Sequence, residues 1–121
     1  FDGEPSVYGF AGGATPLPSM GPGTPLLIGV EAVLTSVLVF TILLAAAGAR
    51  APQVGALYVG GVVAACMLAG SAVSGASMNP ARWFGPALVY GDLSYALVYV
   101  AGPLVGAIAA ALSVRYLFAE R

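Results

Sequence analysis

Asn79-Pro80-Ala81-Arg82 joins a helix-starting pair to a fixed cation within four consecutive residues. Asparagine is a favoured N-cap and proline is favoured at the first helical position, so a helix is expected to begin here. Arg82 then falls in the first turn, where the positive end of the helix dipole disfavours a cation. That arrangement suits a site that aims backbone N–H groups, the Asn79 amide and a guanidinium at a passing solute. Just upstream, the main-chain carbonyls of Gly75, Ala76 and Ser77 can serve as acceptors, and Gly75 allows close backbone approach. Glu31 is the other group with chemistry. It lies about five residues, or ~8 Å, into a long apolar run, where an acidic group costs on the order of 2.5–3.5 kcal/mol unless compensated. One reading has it snorkel to the interface. The other has it accept hydrogen bonds from N–H groups of the Gly75 loop, with Thr35 one turn along the same face in support. Arg82 also has two readings. One is a salt bridge to Asp92 or a lipid phosphate; the other is a solute-facing guanidinium that, with the helix dipole, repels cations and protons.

The composition says where such a site must sit. Hydrophobic residues make up 60% and charged residues 7% of 121, and the mean hydropathy is +0.95, which is a membrane composition. There is no His, and all four basic residues are Arg, so histidine-based hydrolysis, a histidine zinc site and a lysine Schiff base are excluded. No metal site or cofactor is expected. Cys66 is alone, so no internal disulfide can form. A net charge of −1 with scattered arginines leaves no basic patch for nucleic acid. No signal-peptide pattern opens the chain. The first residue is Phe1, so the sequence is expected to be a piece of something longer.

The elements that must position these residues follow from hydropathy and breakers. Residues 1–25 carry Pro5, Pro16, Pro18, Pro22 and Pro25 among many small residues and read as an extracellular connecting loop. Residues 26–121 form the membrane part, with apolar spans at about 26–49, 54–74 and 95–118. Each is long enough to cross a ~30 Å hydrocarbon core. Residues 75–90 leave room for roughly 10 helical residues, ~15 Å, which is half a membrane. The expected fold is therefore an all-α membrane protein with three transmembrane helices and one re-entrant half-helix. Arg50, Arg115 and Arg121 fall on one side, which the positive-inside rule makes cytoplasmic; Asp2, Glu4 and Asp92 fall on the other. The re-entrant segment then dips in from outside. Gly102, Gly106 and Ala110 form a small-xxx-small row suited to close helix packing, and Gly55, Gly60 and Gly61 mark the second span. Irregular backbone at membrane depth survives only when wrapped in protein or lining a wet cavity.

Taken together, Ser74-Gly75-Ala76-Ser77-Met78-Asn79-Pro80-Ala81-Arg82, then Phe84-Gly85-Pro86-Ala87, with Glu31-xxx-Thr35 before and Gly102-Pro103 after, resemble the aquaporin (major intrinsic protein) family. The likeness is to its C-terminal half and runs over about Thr24 to Phe118. The resemblance implies half of an inverted-repeat bundle of six spans and two half-helices, and a homotetramer with one pore per subunit. It also implies passive flow of water or small neutral solutes, with no enzymatic step, in a multi-pass protein of the plasma or inner membrane. By the family pattern, Asn79, Pro80 and Ala81 lie at the pore centre and Arg82 belongs to the selectivity filter. Matching backward, Met67 and Ala76 take the other filter positions, and Glu31 braces the loop.

The chain departs from the pattern in instructive ways. Strict water channels usually carry His in place of Met67, and the Gly and Phe filter pair of glycerol facilitators is also missing. Trp83 follows the arginine, where glycerol channels have Asp and many water channels a small residue. Ala87 and Tyr99 lean toward the water branch. The expected function is a water channel that also admits small neutral solutes such as glycerol; the alternative is a glycerol or small-solute facilitator. The first half of the family, with its own motif, has no counterpart here, and truncation is the expected reason. Two rivals remain. Half of a secondary transporter would need Glu31 as its coupling group. A non-conducting structural member of the family would need no open pore.

Overall fold

The computed structural model describes residues 24–45 and 53–118. The expected loop 1–25 lies outside them apart from its last two residues. Arg50 and Arg121, two of the three arginines that orient the chain, also lie outside. Four helices form: α1 (Thr24–Ala45), α2 (Gly55–Ser74), α3 (Pro80–Tyr90) and α4 (Ala96–Phe118). Three of them, of 22, 20 and 23 residues, are long and apolar enough to cross a membrane. At ~1.5 Å per residue they reach roughly 30–35 Å. The 11 residues of α3 reach about half that. The chain is therefore an all-α membrane protein with three long helices and one short one.

The starts and stops obey local rules. Asn79 caps α3 in an extended conformation, and Pro80 opens the helix, where a missing N–H costs nothing. Gly75 ends α2 and Gly91 ends α3, both in the left-handed region, at φ 82° and 72°. Neither α1 nor α2 has an amphipathic stripe. A helix that is apolar all round belongs in lipid or in the middle of a bundle.

Helix α1 is the central element: it packs along α4 and, less extensively, along α2, while α3 leans on α4. The α1–α4 contact is close because α4 presents Gly102, Gly106 and Ala110, all buried. A Cβ at Gly102 would meet the Glu31 Cβ at 2.7 Å, and one at Gly106 would run into the backbone carbonyl of Ala32. The small-residue row thus sets the depth at which Glu31 enters the bundle. Gly60 and Gly61 differ from expectation, since a Cβ at either would meet nothing within 4 Å. They sit on the face of α2 turned away from α1, where no described element lies against them.

Two apolar clusters fill the interior. One joins Leu27, Trp83, Ala87, Val98 and Tyr99; the other joins Leu34, Cys66, Ala76 and Met78. Between them runs the loop from Ser74 to Asn79.

Candidate channel site

The loop between α2 and α3 is built against its own preferences. Ala76 and Met78 both adopt positive φ, 48° and 54°, in a region where a residue with a Cβ pays about 1–3 kcal/mol. The surrounding hydrogen bonds explain why the shape persists. Glu31, fully buried in α1, accepts at both carboxylate oxygens. Its Oε1 takes the Ser74 hydroxyl at 2.6 Å and the Ser77 N–H at 3.0 Å, and its Oε2 takes the Met78 N–H at 2.7 Å. One side chain therefore closes a loop that lies more than 40 positions away in sequence. The snorkelling reading of Glu31 is excluded by this burial and these contacts.

Further bonds tighten the loop. The Ser74 hydroxyl accepts from Ala76 N–H at 3.2 Å, and the Ser74 carbonyl accepts from the Tyr99 hydroxyl of α4 at 2.6 Å. The Ser77 hydroxyl donates to the Asn79 carbonyl at 2.9 Å, which also accepts the Trp83 N–H, the first helical bond of α3. Buried main-chain groups that would otherwise be unpaired at membrane depth thus find partners. Thr35 does not join this network: its hydroxyl is buried without a partner among the described residues. The Glu31 carboxylate is taken up by the loop, and Thr35 sits one turn further along α1.

At the start of α3, Asn79 Oδ1 accepts the Ala81 N–H at 2.9 Å. The cap uses the oxygen and leaves the amide nitrogen, a two-hydrogen donor, outside the helix's own bonding. Asn79, Ala81 and Arg82 are exposed and Pro80 is half-buried. The guanidinium of Arg82 reaches across to α2, where Nη1 and Nη2 each lie 3.9 Å from Met67 Sδ. Asp92 makes a different contact: its carboxylate accepts the Ser94 N–H at 2.9 Å. Of the sequence-derived filter residues, Arg82 and Met67 are brought together. Ala76 is fully buried, with its methyl in the cluster of Leu34, Cys66 and Met78. Gly75 and Ser77 are buried beside it.

Sequence reasoning named three residues of this assembly without giving them their structural role. Ser74 bridges Glu31 and the loop. Tyr99 ties the loop to α4. Trp83 stacks on the Tyr99 ring at a centroid distance of 5.6 Å and 19° between planes, and is 3% exposed. The only signal was chemical: a tyrosine inside an apolar span needs a partner for its hydroxyl when buried. The indole nitrogen of Trp83 is buried without a partner among the described residues.

The family model for Major intrinsic protein matches residues 11–114. The chain is 48% identical over 93 residues to "Probable aquaporin TIP5-1" of Oryza sativa subsp. japonica, covering 69% of this chain and 35% of that protein. It is 41% identical over 114 residues to "Probable aquaporin TIP4-2" of the same organism, covering 90% and 44%. With "Aquaporin TIP4-1" of Arabidopsis thaliana the identity is 42% over 104 residues, covering 82% and 42%. The chain thus spans between a third and a half of the length of these curated relatives. Since the matched region contains the Glu31 brace, the loop it holds, the whole of α1, α2 and α3 and most of α4, the chain belongs to the major intrinsic protein family.

Proposed function

We propose that this chain is the C-terminal half of a passive transmembrane channel for water that also admits small neutral solutes such as glycerol and excludes ions and protons. The carrying observation is the Glu31-centred network. It holds the start of α3 at a fixed place between apolar helices, with the Asn79 amide and the Arg82 guanidinium free of the loop's own bonding. In this reading Asn79, Pro80 and Ala81 form the pore centre, and Arg82 and Met67 form the filter. Ala76 takes part through its carbonyl, together with those of Gly75 and Ser77. The positive end of α3 and the guanidinium repel cations and protons, while their N–H groups replace part of a neutral solute's hydration. No bond is made or broken, so the protein is not an enzyme.

A facilitator of glycerol-like solutes is the second reading, and one observation favours it. The partner of Arg82 across the site is a thioether, not a strong polar group, which gives the passage an apolar wall suited to a carbon skeleton. The transporter reading is disfavoured, because Glu31, its only coupling group, is fully buried and accepts three hydrogen bonds from the loop.

The relatives' coverage and the broad apolar surface left on the helices support a second half lying outside this chain; homotetramers of the assembled subunit are what the family resemblance implies. We place the protein in the plasma or inner membrane, with Arg115 on the cytoplasmic side. The test is stopped-flow shrinkage of proteoliposomes holding the full-length protein, with water and then glycerol as the permeant. Water flow well above bare lipid is expected, and Arg82→Ala should admit glycerol faster and leak protons. Water flow equal to bare lipid would overturn the channel reading. Glycerol entry faster than that of water channels, already present with Arg82 intact, would favour the facilitator.

A further inference from the structure

Met67 and Arg82 meet through sulfur. Both terminal nitrogens of the guanidinium lie 3.9 Å from Met67 Sδ. A thioether is a weak acceptor, so this contact restrains the guanidinium lightly and leaves its donors available to a solute. The neighbouring sulfurs are sheltered. Met78 is 5% exposed within the cluster of Leu34, Cys66 and Ala76, and Cys66 is 6% exposed with its thiol donating to the Leu34 carbonyl. Met67 is 36% exposed. Of these three sulfurs it is the most exposed, and it is the one that touches the cation, which in the channel reading puts it on the passage where a dissolved reagent can reach it.

We propose that Met67 is an oxidative modification site, at which a peroxide converts the thioether to a sulfoxide that ties down Arg82 and restricts passage. The proposal rests on the channel reading above. In the step, a sulfur lone pair attacks one oxygen of hydrogen peroxide, an S–O bond forms and the O–O bond breaks. Sulfur loses two electrons, the peroxide gains them, and the second oxygen leaves as water after a proton shifts to it. The product is a polar side chain with a strong acceptor oxygen where a weak one stood. A charge-assisted N–H···O bond is about 2.7–2.9 Å long, well inside the present sulfur contact. The sulfoxide oxygen therefore occupies the space between Met67 and Arg82 and takes up donors that a passing solute would otherwise use. Methionine sulfoxide reductases reverse the chemistry, which makes the change a switch and not only damage.

The experiment uses the full-length protein in proteoliposomes, exposed to hydrogen peroxide, with the oxidation of each methionine followed by peptide mass spectrometry. Water permeability is measured by stopped flow before treatment, after it, and after a sulfoxide reductase. Wild type and Met67→Leu are each compared with their own untreated sample. Met67 should gain one oxygen well before Met78. Water permeability of the wild type should then fall about 10-fold, the effect of one charge-assisted hydrogen bond added to the barrier. Reductase should restore it, and Met67→Leu should lose nothing. Unchanged permeability with Met67 fully oxidised would overturn the proposal, as would an equal loss in Met67→Leu or oxidation of Met78 first. Water flow at the bare-lipid level before any treatment would instead overturn the channel reading, and this proposal with it.

Discussion

At the scale of single residues, Glu31 shows how a carboxylate becomes tolerable in an apolar span. Burial without partners would be prohibitive, but three donors from one loop converge on it. The bargain is mutual, because Ala76 and Met78 sit at positive φ that they would leave without the carboxylate. Glu31→Gln keeps the shape and replaces one acceptor by a donor, so one buried loop donor loses its partner. A loss of about 1–3 kcal/mol is expected, read as a lower melting temperature of the full-length protein in detergent. Water permeability should fall with it. A Gln variant that melts and conducts like wild type would show that the loop holds its own shape. Trp83 and Tyr99 carry the other half of the brace. Trp83→Ala removes the stacked ring from a filled cluster and should cost about 3–5 kcal/mol. Trp83→Phe keeps an aromatic face on Tyr99 and should recover most of that cost. Equal melting of the two variants would mean that the stack contributes nothing beyond volume.

At the scale of elements, the α1–α4 contact decides where the site lies. The row of Gly102, Gly106 and Ala110 lets α4 approach α1 closely enough for Tyr99 to reach Ser74 and for Glu31 to be sealed. Gly106→Ala would press a methyl against the Ala32 carbonyl, which is backbone and cannot rotate away. The expected destabilisation is about 1–3 kcal/mol, measurable by thermal unfolding in detergent; an unchanged melting point would show that the two helices slide apart freely. The entry to α4 offers a pH test. Asp92 lies in the turn before α4, and its carboxyl is held below the usual range, first by the Ser94 side chain and then by the Ser94 N–H. Because the folded value is the lower one, the turn's contribution is complete above the ordinary carboxylate value of about 3.9 and is lost as pH falls below it. Amide exchange at Ser94 should therefore lose protection on acidification through that range, and Asp92→Asn should flatten the dependence. Protection that is indifferent to pH in wild type would rule out a role for the carboxylate.

At the scale of the whole molecule, the apolar surface is turned outward on every helix. Leu68, Val89 and Tyr116 are among the most exposed side chains, as lipid and neighbouring protein in a membrane require. What the sequence by itself determined was everything set by short-range physics. The length of an apolar run decides whether it crosses a membrane, so three long helices and one short one were readable from hydropathy. Cap chemistry acts over three or four residues, so Asn79-Pro80 announced the start of α3, whereas Gly75 and Gly91 were not read as the left-handed caps that end α2 and α3. The small-residue row on α4 was readable too, because period alone puts Gly102, Gly106 and Ala110 on one face. Which glycines are used was not: Gly60 and Gly61 look no different in sequence from Gly102 and Gly106. Only the tertiary structure decided the partners. Glu31 could be named as a brace, yet its choice of Ser74, Ser77 and Met78 over Thr35 depends on the depth at which α1 packs. The roles of Ser74, Tyr99 and Trp83, and the meeting of Met67 with Arg82, arise between residues 15 to 43 positions apart. Contacts at that separation leave no periodic or cap signal in the chain, because they exist only once the helices have chosen one another.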